Sequence, residues 1–98
     1  MTYEVRLREE ADRDLTEAAL WYELHGIGLG YQFLGEVLRA LASIADSPFI
    51  YPAVWRDTRR ALMNRFPFGI YFRMRDDTVV VLAVMHGSRH PRNWMKRQ

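Results

Sequence analysis

Two histidines and four permanently basic side chains crowd the last stretch of this chain: His86, Arg89, His90, Arg92, Lys96 and Arg97. Imidazole exchanges a proton near neutrality, and guanidinium carries a fixed charge on a planar fork of donors. Such groups can shuttle a proton and stabilise a phosphorane, as cleavage of RNA at a 2′-hydroxyl requires. They can also grip an anionic partner without reacting with it. Just ahead of them, Val79 to Met85 (VVVLAVM) has the pattern of a strand buried on both faces. A rigid strand that ends in cations presents them where an anion can meet them.

The charge map points the same way. Residues 1–47 carry four Arg and nine Asp/Glu, net −5, while residues 48–98 carry ten Lys/Arg and three Asp, net +7. The overall +2 conceals an acidic half and a basic half.

If the chemistry is catalytic, the candidates are Arg65, Arg89 and His86, with His90 as a second imidazole. Lys96 is the only lysine, and the nearby aromatic is Trp94, whose indole is neither acid nor base near neutral pH. Each group also has a structural reading. His86 can hydrogen-bond the backbone, Arg65 can pair with a helix carboxylate, and Trp94 can pack the tail onto the sheet. A purely binding surface asks less. Arg65, Arg89, His90, Arg92 and Trp94 are its contact candidates, and Arg56, Arg59, Arg60, Arg73, Arg75 and Arg97 supply further cations beside Phe66, Phe68 and Phe72. The residue set therefore leans toward binding rather than catalysis.

The elements that must position these groups follow from periodicity. Tyr3, Val5 and Leu7 alternate with charged residues, as in a short strand with one wet face. Ala11, Leu15, Ala18, Ala19 and Tyr22 then fall at helical spacing. Glu9, Glu10, Asp12 and Asp14 at the start oppose the helix dipole. Gly26, Gly28 and Gly30 mark a turn. Phe33, Leu34, Val37, Leu38, Leu41, Ile44 and Ala45 form a second apolar stripe, stopped by Asp46, Ser47 and Pro48. The two helices form an antiparallel hairpin. A loop over 49–57 leads to strands over 58–66, 68–75 and 78–85, with Asp76-Asp77 as the last tight turn and Pro67 as a break. The tail from Pro91 reads as short, basic and partly ordered. The expected fold is α+β, a two-layer β-α-α-β-β-β domain over 1–98, its helix hairpin on one face of a mainly antiparallel sheet.

In order and spacing these residues resemble the RelE/ParE superfamily of toxins from type II toxin–antitoxin pairs. The landmarks are Ala11-x-x-Asp14-Leu15, Trp21-Tyr22, Gly28-Leu29-Gly30 before Phe33-Leu34, and Pro48 with Pro52. Arg65-Phe66-Pro67-Phe68-x-Ile70-Tyr71 follows, and Val81-Leu82-Ala83-Val84 leads to His86-x-x-Arg89-x-Pro91-x-x-Trp94. The resemblance implies a cognate antitoxin as partner, in a hetero-oligomer, and one of two targets. ParE-like members poison DNA gyrase; RelE-like members cut messenger RNA on the ribosome. The RelE-like lysine cluster and C-terminal tyrosine have no counterpart here, so the ParE-like reading is favoured.

An antitoxin needs exposed apolar surface or a bare strand edge. Trp21 and Tyr22 point about 100° apart on a helix. Tyr22 continues the core stripe, and Trp21, Leu24 and Leu29 flank it as antitoxin contacts, with Arg59 and Arg73 for an acidic segment. The remaining classes are excluded more simply. No cysteine is present for a disulfide or thiolate site. His25, His86 and His90 are too few and scattered for a metal, and no cofactor is implied. The glycines follow a helix, not a strand, unlike a dinucleotide fingerprint. The charged N-terminus and short apolar runs predict a cytoplasmic protein without a membrane span. A non-toxic nucleic-acid-binding module remains the alternative outside the toxins, and would bind bare nucleic acid in a strongly salt-dependent way.

Overall fold

The computed structural model describes residues 2–98. Strand β1 (Glu4–Leu7) runs into helix α1 (Glu9–His25), and helix α2 (Leu29–Asp46) follows after a tight turn. The chain continues through a 3-10 turn (Pro48–Ile50) into β2 (Ala53–Trp55), β3 (Thr58–Leu62), β4 (Phe68–Arg75), β5 (Thr78–His86) and a short helix α3 (Arg92–Met95). The strands form one sheet in the order β1-β5-β4-β3-β2, with β1 parallel to β5 and the other pairs antiparallel. Both long helices pack on one face, giving the expected two-layer α+β arrangement.

The hairpin is held by a carboxylate. Glu23 on α1 accepts the backbone N–H groups of Gly28 and Gly30, both at 3.0 Å, at the start of α2. That helix has no side-chain cap of its own, so the preceding helix supplies one. Gly28 sits at φ +86°, and a Cβ on Gly30 would lie 2.7 Å from the Ala19 carbonyl. Glycine there lets the helices approach closely. Ala11, Ala18, Phe33, Val37, Leu41 and Ile44 then meet Ala61, Ile70, Phe72, Val79 and Val81 in the main core.

Three details differ from the sequence expectation. The first predicted strand of the C-terminal half ends at Leu62, because residues 63–67 leave the sheet to reach Glu36 on α2. Glu36, itself buried, accepts the backbone N–H groups of Asn64 and Arg65 at 2.9 and 2.8 Å. The expected loop over 49–57 contains the edge strand β2. The tail is not loose: it forms α3, and Trp94, 5% exposed, stacks on Tyr71 at 4.5 Å.

The last difference has a cause within β5. Phe72 is opposite Val81 while Tyr71 is opposite Ala83, so Leu82 is an extra residue on that strand. A one-residue bulge reverses the facing of everything after it. Val79 and Val81 lie under the helices, whereas Ala83 and Met85 turn to the opposite face and build a second cluster with Tyr71 and Trp94. That outward apolar patch is what α3 covers.

Candidate functional site

The bulge also decides where His86 goes. Its ring emerges on the helix side, 5.4 Å from the Phe68 ring, in a cleft of about 370 Å³ between α1 and the end of β5. Asp14, Glu17, Trp21, Tyr22, His86 and Arg89 line this cleft. Trp21 is half exposed and stacks on His25 at 3.8 Å. Tyr22 packs on Phe33, Phe66 and Phe68, and burial raises its phenol above the usual value. One wall is therefore aromatic, and the mouth holds an imidazole and a guanidinium.

Both imidazoles of the loop after β5 are oriented by backbone. His86 Nδ1 accepts the Ser88 N–H at 3.0 Å, and His90 Nδ1 accepts the Arg92 N–H at 3.1 Å. With Nδ1 as acceptor, a neutral ring carries its proton on Nε2. Each ring then presents a donor outward, and its lone pair is occupied. Arg89, His90 and Arg92 are exposed and make no ion pair among the described residues.

Below the cleft, Asp14 accepts the Val84 N–H at 3.0 Å and binds Arg97 through both oxygens, at 2.6 and 3.2 Å. Arg97 also donates to the Leu82 carbonyl, at 3.2 Å. The pair thus satisfies backbone groups of β5 beyond the end of β1. Arg97 is consequently withdrawn from any contact surface.

The structure separates the other sequence candidates. Arg65 is exposed and donates to Gln32 Oε1 at 2.8 Å, in a second cleft beside Glu36 and Arg39. Its loop is tied to the His86 loop by the Gly87 N–H on the Pro67 carbonyl at 2.7 Å, so Arg65 and Arg89 share one end of the sheet but not one cleft. Trp94 is buried under the sheet rather than presented to a partner. Arg92 and His90 stay beside Arg89 in the same loop.

Of the residues expected to meet a partner chain, Trp21, Leu24 and Leu29 fall on the hairpin, with Leu24 85% exposed. Leu20, Ile27 and Tyr31 extend that apolar surface, and a groove of about 670 Å³ runs between Leu15, Ala19, Leu20, Tyr31 and Leu34. Arg59 does not join them. It donates to the Tyr51 carbonyl at 2.6 Å and lies over the Phe49 ring, pinning the segment after α2. Arg73 lies on the opposite face of the sheet, in register with Val80. Sequence reasoning missed Asp14, Glu23 and Glu36 as organising groups. In sequence each is one more polar residue on an amphipathic helix, and nothing in its spacing marked that role. Among the described residues no cluster could hold a metal ion, and no helix is long and apolar enough to cross a membrane.

A sequence profile described as "ParE toxin of type II toxin-antitoxin system, parDE" matches residues 5–91. The chain belongs to this family of toxins. Solved structures share its fold. The chromosomal ParDE system of Pseudomonas aeruginosa superposes with a TM-score of 0.75 at 16% identity, covering 87% of this chain and 96% of that one. The RelBE2 toxin–antitoxin complex of Mycobacterium tuberculosis gives 0.64 at 24% identity, covering 88% and 99%. A mutant of the Escherichia coli toxin RelE in its free state gives 0.64 at 17% identity, covering 99% and 98%. At these identities the likeness is one of fold. No curated protein matches the chain.

Proposed function

We propose that this toxin acts as ParE-like members do, by binding DNA gyrase and blocking it, and that a cognate antitoxin neutralises it in a cytoplasmic complex. The observation that carries the reading is the state of the two imidazoles. A ribonuclease needs an unoccupied lone pair to take the 2′-hydroxyl proton. At His86 and His90 that lone pair accepts a backbone N–H, and the rings offer donors instead. Arg65, another cation of this end, lines a different cleft from Arg89. Trp94, where a tyrosine acid would sit, is buried and has no acid to give. Donors without a base suit a surface that holds an anionic partner.

Arg89 is the central contact in this reading, with His86, His90 and Arg92 around it and Trp21 as an aromatic neighbour. The antitoxin covers the apolar surface of the hairpin, including Trp21, Leu24 and Leu29, and reaches the cleft mouth. The short β2 edge offers a second place for an added strand.

Brief expression in bacteria tests the reading. The expected result is filamentation, a DNA damage response and inhibited supercoiling by purified gyrase, all abolished in Arg89→Ala with thermal unfolding unchanged. Rapid loss of protein synthesis with transcripts cut at ribosomal positions would instead establish the RelE-like alternative.

A further inference from the structure

The sheet face turned away from the long helices is divided in two. Near the His86 end it is apolar and covered by Trp94. At the other end it carries arginines. Register aligns Arg6 of β1, Val80 of β5 and Arg73 of β4 in one row across the strands. Arg75 follows Arg73 on the same face, roughly 7 Å along the strand, and Arg6 stands about 10 Å from Arg73 at two strand spacings. Arg6, Arg8 and Arg75 line a trough of about 430 Å³ floored by Thr78 and Val80.

The positive charge here is only partly compensated. Arg6 pairs with Glu4 at 2.9 Å, and Asp76 stands at the rim, but Arg73, Arg75 and Arg60 make no ion pair among the described residues. Arg60, one residue after Arg59 on β3 and opposite Tyr71, is half-buried, and its Nε is enclosed without an acceptor. Arg60 thus stands in the row of Tyr71, where the apolar half begins, while Arg73 and Arg75 keep a positive potential over the other end that an anion would relieve.

We infer that this arginine face binds the phosphate backbone of duplex DNA. On the face of a sheet the backbone hydrogen bonds are already used, so a ligand meets side chains alone. Those side chains are guanidiniums, donors in a fixed fork that matches phosphate oxygens. An acidic peptide would also need pockets for its apolar residues, and a floor of Val80 and Thr78 supplies none. Sequence-independent phosphate contact is what such a surface can do. The choice of DNA over RNA rests on the gyrase reading above, because gyrase works on a DNA segment beside which its inhibitor would sit. Arg89 and the cleft would face the enzyme while the arginine face meets its DNA.

Fluorescence anisotropy with a labelled mixed-sequence duplex tests this on the whole chain without gyrase. Binding should weaken steeply with salt. Arg73→Gln combined with Arg75→Gln should weaken it about tenfold and lower the salt slope by roughly 0.9 for each phosphate no longer neutralised. Arg13→Gln with Arg39→Gln removes the same charge from the helical layer and should leave binding unchanged. Thermal unfolding of each variant confirms that it is folded. No binding to duplex, equal weakening in both variants, or tighter binding to an RNA duplex of the same sequence would overturn the inference. Supercoiling inhibition measured in parallel separates the two readings. A protein that inhibits gyrase yet ignores DNA refutes the arginine face alone, and one that binds DNA through it without inhibiting gyrase refutes only the proposed target.

Discussion

Asp14 on α1 and Arg97 after α3 grip each other through two hydrogen bonds, of 2.6 and 3.2 Å, with 16% and 17% of their side chains exposed. The contact joins residues 83 positions apart and closes the sheet where β1 has already ended. Asp14→Ala leaves a largely buried guanidinium and the Val84 N–H without their acceptor, and should cost about 3 kcal/mol. Urea unfolding should show this, with the double variant Asp14→Ala/Arg97→Ala destabilised by less than the two single variants combined.

Glu36 does for the Arg65 loop what Glu23 does for the helix turn. Glu36→Ala removes the acceptor for two backbone N–H groups and should cost about 2 kcal/mol. Its signature is local. Hydrogen exchange should accelerate at Asn64 and Arg65, while the core of β4 and β5 keeps its protection.

His86→Asn separates binding from proton transfer. The Asn Oδ1 can accept the Ser88 N–H in place of Nδ1, and the amide still donates, but it cannot carry a proton between substrate atoms. A gyrase blocker should keep most of its toxicity in this variant. A drop of about a hundredfold or more, the usual scale for a missing general acid or base, would point to catalysis.

Tyr22 gives a pH signature. Burial raises its phenol above 10.0, so the folded state holds the proton more tightly than the unfolded chain does. Its contribution is intact below pH 10.0 and declines as pH climbs from there through the folded value. Tyr22→Phe should flatten that alkaline decline in urea melts, with little change at neutral pH.

How far the sequence could be read depended on whether a residue's role was local. The helix hairpin was legible because Phe33, Val37, Leu41 and Ile44 repeat at helical spacing and Gly28 breaks it. The β4–β5 hairpin was legible because Asp76-Asp77 interrupts two apolar runs. The bulge was not, since every residue from Val79 to Met85 is apolar and a shift in facing leaves no mark on such a run. Without the bulge there was no reason to expect an apolar patch on the far face, so a Trp94 packed on the sheet and a Trp94 offered to a partner both fitted the sequence. Among the proposed site residues, Arg89 and His86 could be placed from the sequence because β5 leads straight to them: His86 closes the strand and Arg89 lies in the loop after it. Asp14 was read only as an acid favouring a helix start, since its partners, Val84 and Arg97, are distant in the chain.

Leu82 makes β5 a ribbon with a half-twist of identity at its middle. Alternate positions obey one rule up to Val81 and the reverse rule from Ala83, so drawing Leu82 into the ladder as an ordinary pair would do more than straighten the strand. It would carry Ala83 and Met85 beneath the helices and swing His86 to the side guarded by Trp94, whereas deleting Leu82 would keep all three on the faces they hold. In the first case the cleft mouth would lose its imidazole although no residue had changed.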